Sequence, residues 1–437
     1  MLHSHLAAAR FCLSLVTFGL AWMAATPANA ASFYRWQTIT LNPSTGASCG
    51  NGTPYRFFVN RALLTTKTVI VFEGGGACWG QDSCLGKGGL RGASNPNGIS
   101  ADYMTTPLGS SLNGGLAFGG LVTPFSARLH PLQRVQTQGW NMVYMPYCSG
   151  DVHTGNQINI YGDANPAAPI AYYHRGHANS KAVAAWLKEN MAKPDHLLVT
   201  GFSAGGVGAT AQYDTLRRAL MPTKSALLAD SGPLMQAPRH GDSAVYPSVR
   251  LHNLIRERWG YDWPAGIMAE LAARYPGRLD KDNLGSVVGA MAHVYPQDRM
   301  SYLNLQKDAV FSGFSYEEFY PELQSGLNEG QRKAALNEMW VLELKRWVGA
   351  MEPLPNVGYY VPYERNLLQS HTLTTLSFAG TAIPQYGYRG VEQVVDDLLD
   401  MKAAPIRAFQ TDNIRPNTPA LDILSGFLSL FRGLQGQ

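Results

Sequence analysis

The sequence predicts an α/β fold, a mostly parallel sheet with helices on both faces and helical insertions. Three observations support it. Short runs of β-branched and aromatic residues alternate with stretches of helical periodicity. The 437 residues are 45% hydrophobic and only 15% charged, enough to bury a sizeable core and too apolar for global disorder. The strand-like runs are apolar on successive residues, as expected where helices cover both faces of a parallel sheet.

Along the chain, residues 68–72 (TVIVF) form the first such run, and Gly74-Gly75-Gly76 follow it. Residues 141–145 form a second, closed by Pro146. The spacing predicts a helix over 180–191 with Ser180 as its cap, a strand over 196–200, a helix over 205–220 and a strand over 226–229. Residues from about 240 to 365 are rich in aromatic helical stretches and read as insertions decorating the sheet. The Gly-rich segment 107–120 reads as a loop. Residues 419–434 place Leu421, Leu424, Phe427, Leu428, Phe431 and Leu434 on one helical face, as expected of a docked terminal helix.

The first thirty residues have the pattern of a secretory signal peptide. Arg10 precedes a short apolar stretch, and Ala28-Asn29-Ala30 is a small-x-small site, so cleavage after Ala30 is expected. The catalytic domain is then 31–437. No later segment offers about 18 unbroken apolar residues, so no stable membrane insertion is expected, and the mature chain should be soluble in the periplasm or outside the cell. The formal charge of +4 is small for this length and excludes the dense basic stripe of a nucleic-acid binder.

Four cysteines remain after the leader: Cys49, Cys78, Cys84 and Cys148. An even number in an exported chain suggests two disulfides, with three pairings possible. Cys78 and Cys84 share a Gly-rich loop that closes easily, which leaves Cys49 for Cys148. The spacing lacks the paired signature of a four-cysteine zinc site. His174 and His177 form an H-x2-H pair without H-E-x-x-H and read as structural. Neither metal nor cofactor is expected.

The strongest chemical signal is Gly201-Phe202-Ser203-Ala204-Gly205, a G-x-S-x-G placed after a strand and before a helix. That context is what a nucleophile elbow requires, because the serine must sit on a tight strand-to-helix turn at a helix N-terminus. Phe72-Glu73-Gly74-Gly75-Gly76 is a second signal. Glycines let the backbone approach a carbonyl oxygen, so Gly75 and Gly76 are candidate oxyanion-hole donors, with the N–H of Ala204 as the other. Neither a Walker nor a dinucleotide pattern is present. A serine nucleophile needs a base and an acid, and the order Ser…Asp…His points downstream. His371, in Ser370-His371, is the leading base. Asp298 and Asp230 are the acids to choose between, and spacing alone does not choose.

The chain resembles the pectin acetylesterase family, which also contains the Notum carboxylesterases. The resemblance rests on Cys49-Gly50-Asn51-Gly52-Thr53-Pro54, Phe72 to Trp79, Pro146-Tyr147-Cys148-Ser149-Gly150-Asp151, Gly201 to Gly206 and Leu228-Ala229-Asp230-Ser231-Gly232, in that order. It implies an α/β-hydrolase-like fold, ester hydrolysis by a Ser-Asp-His triad without cofactor, and an acyl-enzyme. It implies Ser203 as nucleophile, His371 as base and one local plus one long-range disulfide. The family acid lies in a segment that Tyr295-Pro296-Gln297-Asp298 matches loosely, so Asp298 is the expected acid. Asp230 is expected to support the elbow, so that Asp230→Asn mainly destabilises. Three departures concern the substrate: Gly76 where many members have Trp, Asn51 for Asp, and His153 where Notum-like chains have Trp. Gly76 and His153 are expected near the pocket. An acetylated polysaccharide is the implied substrate, with short acyl groups preferred. Lipid, aryl or polyester esters are the enzymatic alternative, and a non-catalytic binder with the same fold is the rival of another class.

Overall fold

A parallel sheet with helices on both sides leaves no strand face wet, and the central strands meet that condition residue by residue. The computed structural model describes residues 33–87, 92–105 and 122–414. The candidate leader, the 107–120 loop and the 419–434 helix fall outside the described residues.

Strands β1 (Trp36–Thr40), β2 (Arg56–Asn60), β3 (Thr68–Phe72) and β4 (Asn141–Met145) precede an antiparallel hairpin of β5 (Gln157–Tyr161) and β6 (Ile170–His174). Then come β7 (His196–Phe202), β8 (Lys224–Asp230), β9 (Arg299–Leu303), β10 (Val357–Val361) and β11 (Arg407–Phe409). All but the hairpin form one sheet, in the order β1-β2-β4-β3-β7-β8-β9-β10-β11. The pairs β1–β2 and β2–β4 are antiparallel, and every later pair is parallel. Every residue of β3, β4, β7 and β10 is buried. That continuous apolar pattern is why β3, β4 and β7 are legible as parallel strands. Both expected strands 68–72 and 141–145 occur with those bounds.

The helices are α1 (Gln81–Cys84), α2 (Gly176–Asn190), α3 (Ala204–Leu220), α4 (Val249–Trp259), α5 (Ile267–Arg274), α6 (Ser286–Val294), α7 (Ala309–Tyr316), α8 (Glu329–Met351) and α9 (Val391–Asp400). Helix α3 packs against β3, β7 and β8, and α9 against β8 and β9.

Two expectations are corrected here. Ser180 does not cap α2. The helix starts four residues earlier, and the buried Ser180 hydroxyl donates back to the Gly176 carbonyl at 2.9 Å. The region 240–365 is more than insertion, because it supplies β9 and β10 to the main sheet. These strands hold Tyr302, Tyr359 and Tyr360 among their apolar residues, and they are short islands between helices, so helical periodicity dominates any longer window.

Both disulfides are present: Cys49–Cys148, across 99 positions, and Cys78–Cys84, across six. The paired cysteines leave no thiolate for a metal beside His174, although the three residues sit together. Instead His174 is bonded to the Ser149 carbonyl and the Tyr161 hydroxyl, and His177 Nδ1 to Gln212, with Glu270 3.3 Å from its Nε2.

Candidate active site

Parallel strands direct their C-terminal ends to one edge of the sheet, and that edge is where chemistry collects in such folds. Register puts the ends of β3, β7, β8 and β9 level: Phe72 pairs with Gly201, Phe202 with Asp230, and Asp230 with Leu303.

Ser203 stands at the end of β7, immediately before α3, with φ 57 and ψ −125. A non-glycine residue in that region costs on the order of 1–3 kcal/mol and persists only where its surroundings hold it. Here the Ser203 N–H donates to the Asp230 carbonyl at 2.8 Å, and the Ser203 carbonyl accepts from Gly206 N–H at 2.8 Å. The glycine of the motif is required by contact: a Cβ on Gly205 would lie 2.1 Å from the Phe72 carbonyl oxygen. Ala204 is the first residue of α3, where an N–H has no intrahelical acceptor.

The loop after β3 runs against this elbow, since a Cβ on Gly74 would lie 2.9 Å from the Ser203 Cβ. Gly75 and Gly76 have φ of 148 and 67, which glycine adopts without strain. Glu73 fixes the start of the loop. Its buried carboxylate accepts from the Tyr103 hydroxyl at 2.7 Å and the Tyr147 N–H at 2.9 Å, and its carbonyl is bonded to His153 Nε2 at 2.8 Å. Burial pushes the Glu73 carboxyl up to about 7, against the pull of those bonds. His153, expected near the pocket, is instead buried beneath the loop between Phe72 and Tyr147. Burial pushes its imidazole down to about 4, so it acts there as a neutral spacer.

His371 is buried, and its Nδ1 is 2.7 Å from Asp308 Oδ2. With Nδ1–H donating to that carboxylate, Nε2 is the acceptor nitrogen, and it has no hydrogen-bond partner among the described residues. Asp308 comes five residues after β9 and caps α7, its Oδ1 accepting from Val310 and Phe311 N–H at 3.1 and 2.8 Å. One carboxylate therefore caps the start of a helix and contacts the imidazole.

Asp298, the expected acid, is not at this edge. It precedes β9 at the opposite end of the strand, where its Oδ2 accepts from Tyr213 at 2.9 Å and Arg217 at 2.8 Å. A parallel strand separates its two ends, so an acid before β9 cannot serve a histidine beyond its far end. Asp230 also does not face the imidazole. It accepts from the N–H groups of Leu373 and Thr374 and from the Thr374 and Ser231 hydroxyls.

A cavity of about 500 Å³ opens beside the glycine loop, lined by Ala77, Trp79, Ser83, Gly313, Phe314 and Glu318 among others. Trp79 meets Phe314 edge-on and donates its Nε1–H to Glu318 at 3.2 Å. The cavity thus lies between the residues that follow Gly76 and the far end of α7.

The pectinacetylesterase family model matches residues 28–249, just over half of the chain. The chain belongs to the pectinacetylesterase family. It is also similar to the palmitoleoyl-protein carboxylesterase NOTUM of Schmidtea mediterranea, with 22% identity over 225 residues, 51% of this chain and 34% of that protein. The match thus spans about a third of the length of that curated relative. Among solved structures it is similar to the Wnt deacylase Notum from Drosophila, with 17% identity and a TM-score of 0.46, over 75% of this chain and 85% of that one.

The family match ends at residue 249, so Asp308 and His371 lie beyond it. The sequence singled out His371 as the candidate base but not Asp308, the carboxylate that the structure brings to its Nδ1. The signal that could have found it is an aspartate placed as an N-cap, directly before the helical run from Ala309, after a short strand.

Proposed function

We propose that the protein is an exported serine carboxylester hydrolase of pectin-acetylesterase type. The observation that carries the reading is the Asp308–His371 pair, whose free Nε2 shares the C-terminal edge of the sheet with the strained Ser203 turn. Asp308 holds the imidazole tautomer, His371 takes the Ser203 proton, and Ser203 Oγ attacks the ester carbonyl. Backbone N–H groups of Gly75, Gly76 and Ala204 meet the tetrahedral oxyanion, where losing one such donor costs about 2.7–4 kcal/mol. The alcohol leaves with the proton from His371, and water then releases the acyl group from Ser203. Export is supported by the leader-like first thirty residues and the two disulfides. Among the described residues no helix is long and apolar enough to cross a membrane.

Acetyl groups on a polysaccharide are the substrate that family membership favours. The aromatic wall of Trp79 and Phe314 supports a second reading, in which a larger apolar acyl or aryl group fills the cavity. A fluorophosphonate probe should label the protein stoichiometrically and fail to label folded Ser203→Ala; absence of labelling in the native protein would leave the binding role standing. A panel of acetylated pectin, acetylated xylan, aryl acetates and octanoyl esters separates the substrates. A higher kcat/KM for octanoyl than for acetyl esters excludes the acetylesterase reading and retains the hydrolase.

A further inference from the structure

His371 sits in an unusual stretch of backbone. Leu368, Gln369, Ser370, Thr372 and Leu376 all have positive φ, between 51 and 67, and none is glycine. L-residues avoid that region, so something must hold the loop there.

Two buried charges do so from opposite chemical sides. Arg365, only 1% exposed, donates Nε–H to the Ala379 carbonyl at 3.0 Å, Nη1 to those of Thr372 and Thr375 at 2.8 and 3.3 Å, and Nη2 to those of Thr375 and Ser377 at 3.3 and 2.8 Å. A guanidinium has five N–H donors, and all five go to carbonyls of this one loop. Its own N–H donates to the Ser370 hydroxyl at 3.0 Å. Asp230, at the end of β8, takes the loop's donors: Leu373 N–H at 2.9 Å, Thr374 N–H at 2.7 Å and the Thr374 hydroxyl at 2.7 Å. The neighbouring Ser231 hydroxyl accepts from Thr372 N–H at 3.2 Å. The same Asp230 holds the Ser203 N–H by its carbonyl.

We propose that Arg365 and Asp230 are a pair of positioning residues that lock the His371 loop, by its carbonyls and its N–H groups, in register with the Ser203 turn. The proposal rests on the hydrolase reading above. The planar fork is the reason for arginine here: an ammonium carries three donors and cannot reach four carbonyls spread over eight residues. Displacement of the imidazole by about 1 Å is enough to cost about 100-fold in rate.

The test compares the full-length chain with Arg365→Lys, Thr374→Val and Ser203→Ala, using an aryl acetate. Folded Arg365→Lys should lose at least about tenfold in kcat with KM nearly unchanged. Its His371 Nδ1–H proton resonance, bonded to Asp308 in the native protein, should broaden or vanish. Thr374→Val removes a single Asp230 bond; it should lower kcat several-fold with the same KM, and it serves if the lysine variant does not fold. Either folded variant with native kcat and a native Nδ1–H resonance overturns the proposal. Should the native protein show no esterase activity, or Ser203→Ala keep it, the hydrolase reading fails instead, and the Nδ1–H resonance still decides whether Arg365 positions the ring.

Discussion

At the scale of single residues, the two aspartates Asp298 and Asp308 are ten positions apart and do different work. Asp308 touches His371, so Asp308→Asn should lower kcat by about 10⁴ with little change in stability, through loss of the imidazole tautomer. Asp298 balances the half-buried Arg217 and accepts from Tyr213, so Asp298→Asn should leave kcat near native and cost about 1–3 kcal/mol of stability. Steady-state kinetics and urea unfolding on both variants check the pair of outcomes; loss of turnover in folded Asp298→Asn would refute the assignment. Ser203 and His371 stand out as candidates in the sequence for different reasons. A nucleophile elbow has a local steric signature, visible as small residues around the serine. His371 followed from order along the chain and a family-like Ser-His pair. An acid has no local signature of that kind, because any carboxylate that a strand end delivers to the imidazole will serve. The loosely matching segment before β9 drew the choice to the wrong end of that strand.

At the scale of elements, the strands that could be read were the apolar runs of β3, β4, β7 and β8, and those missed include β9 and β10, which hold Tyr302, Tyr359 and Tyr360 and stand among helices. Missing β9 concealed Asp308, since its place is defined by that strand's end. Where elements meet, the elbow tolerates no extra carbon. Gly205→Ala would drive a Cβ into the Phe72 carbonyl, a backbone atom that cannot rotate away. The expected loss is about 1–3 kcal/mol or more, together with turnover, since relief must displace Ser203. Urea midpoints and probe labelling measure the two. The end of β3 adds a pH dependence. Burial raises the Glu73 carboxyl to about 7 in the fold, against an ordinary value near 4.5. Between those values the folded chain binds a proton that the unfolded chain does not, so this group's contribution to stability falls as pH rises from about 4.5 to about 7. Glu73→Gln removes the dependence. The melting temperature of the variant should therefore gain on that of the native protein between pH 4 and pH 8, by an amount on the order of 3 kcal/mol in unfolding free energy. A gap that stays constant across that range would contradict it.

At the scale of the whole molecule, the two disulfides divide stability from activity. Cys49–Cys148 closes a loop of 99 positions that contains β2, β3 and β4, and the Gly50 N–H bonds the Cys148 carbonyl beside it. Cys78–Cys84 spans six positions and braces the turn that follows Gly76, where Cys78 N–H also bonds the Gly150 carbonyl. Loop-closure entropy assigns the long bridge about 4.7 kcal/mol and the short one about 2 kcal/mol. Proximity to the site reverses the ranking for function. The short bridge stands two residues from Gly76, and Trp79 and Ser83 on its loop line the cavity. The double variant Cys49→Ala/Cys148→Ala should therefore show the larger fall in urea midpoint, yet keep near-native kcat/KM in whatever fraction stays folded. Cys78→Ala/Cys84→Ala should lose less stability and more kcat/KM, because the glycine loop then carries the proposed oxyanion donors on an unbraced turn. The comparison is made at low urea, with folded fraction measured by near-UV circular dichroism alongside turnover. If the short bridge proves the more stabilising, the loop-closure ranking fails; if its removal leaves kcat/KM intact, the loop after β3 is held without it, by contacts such as those of Glu73 and His153.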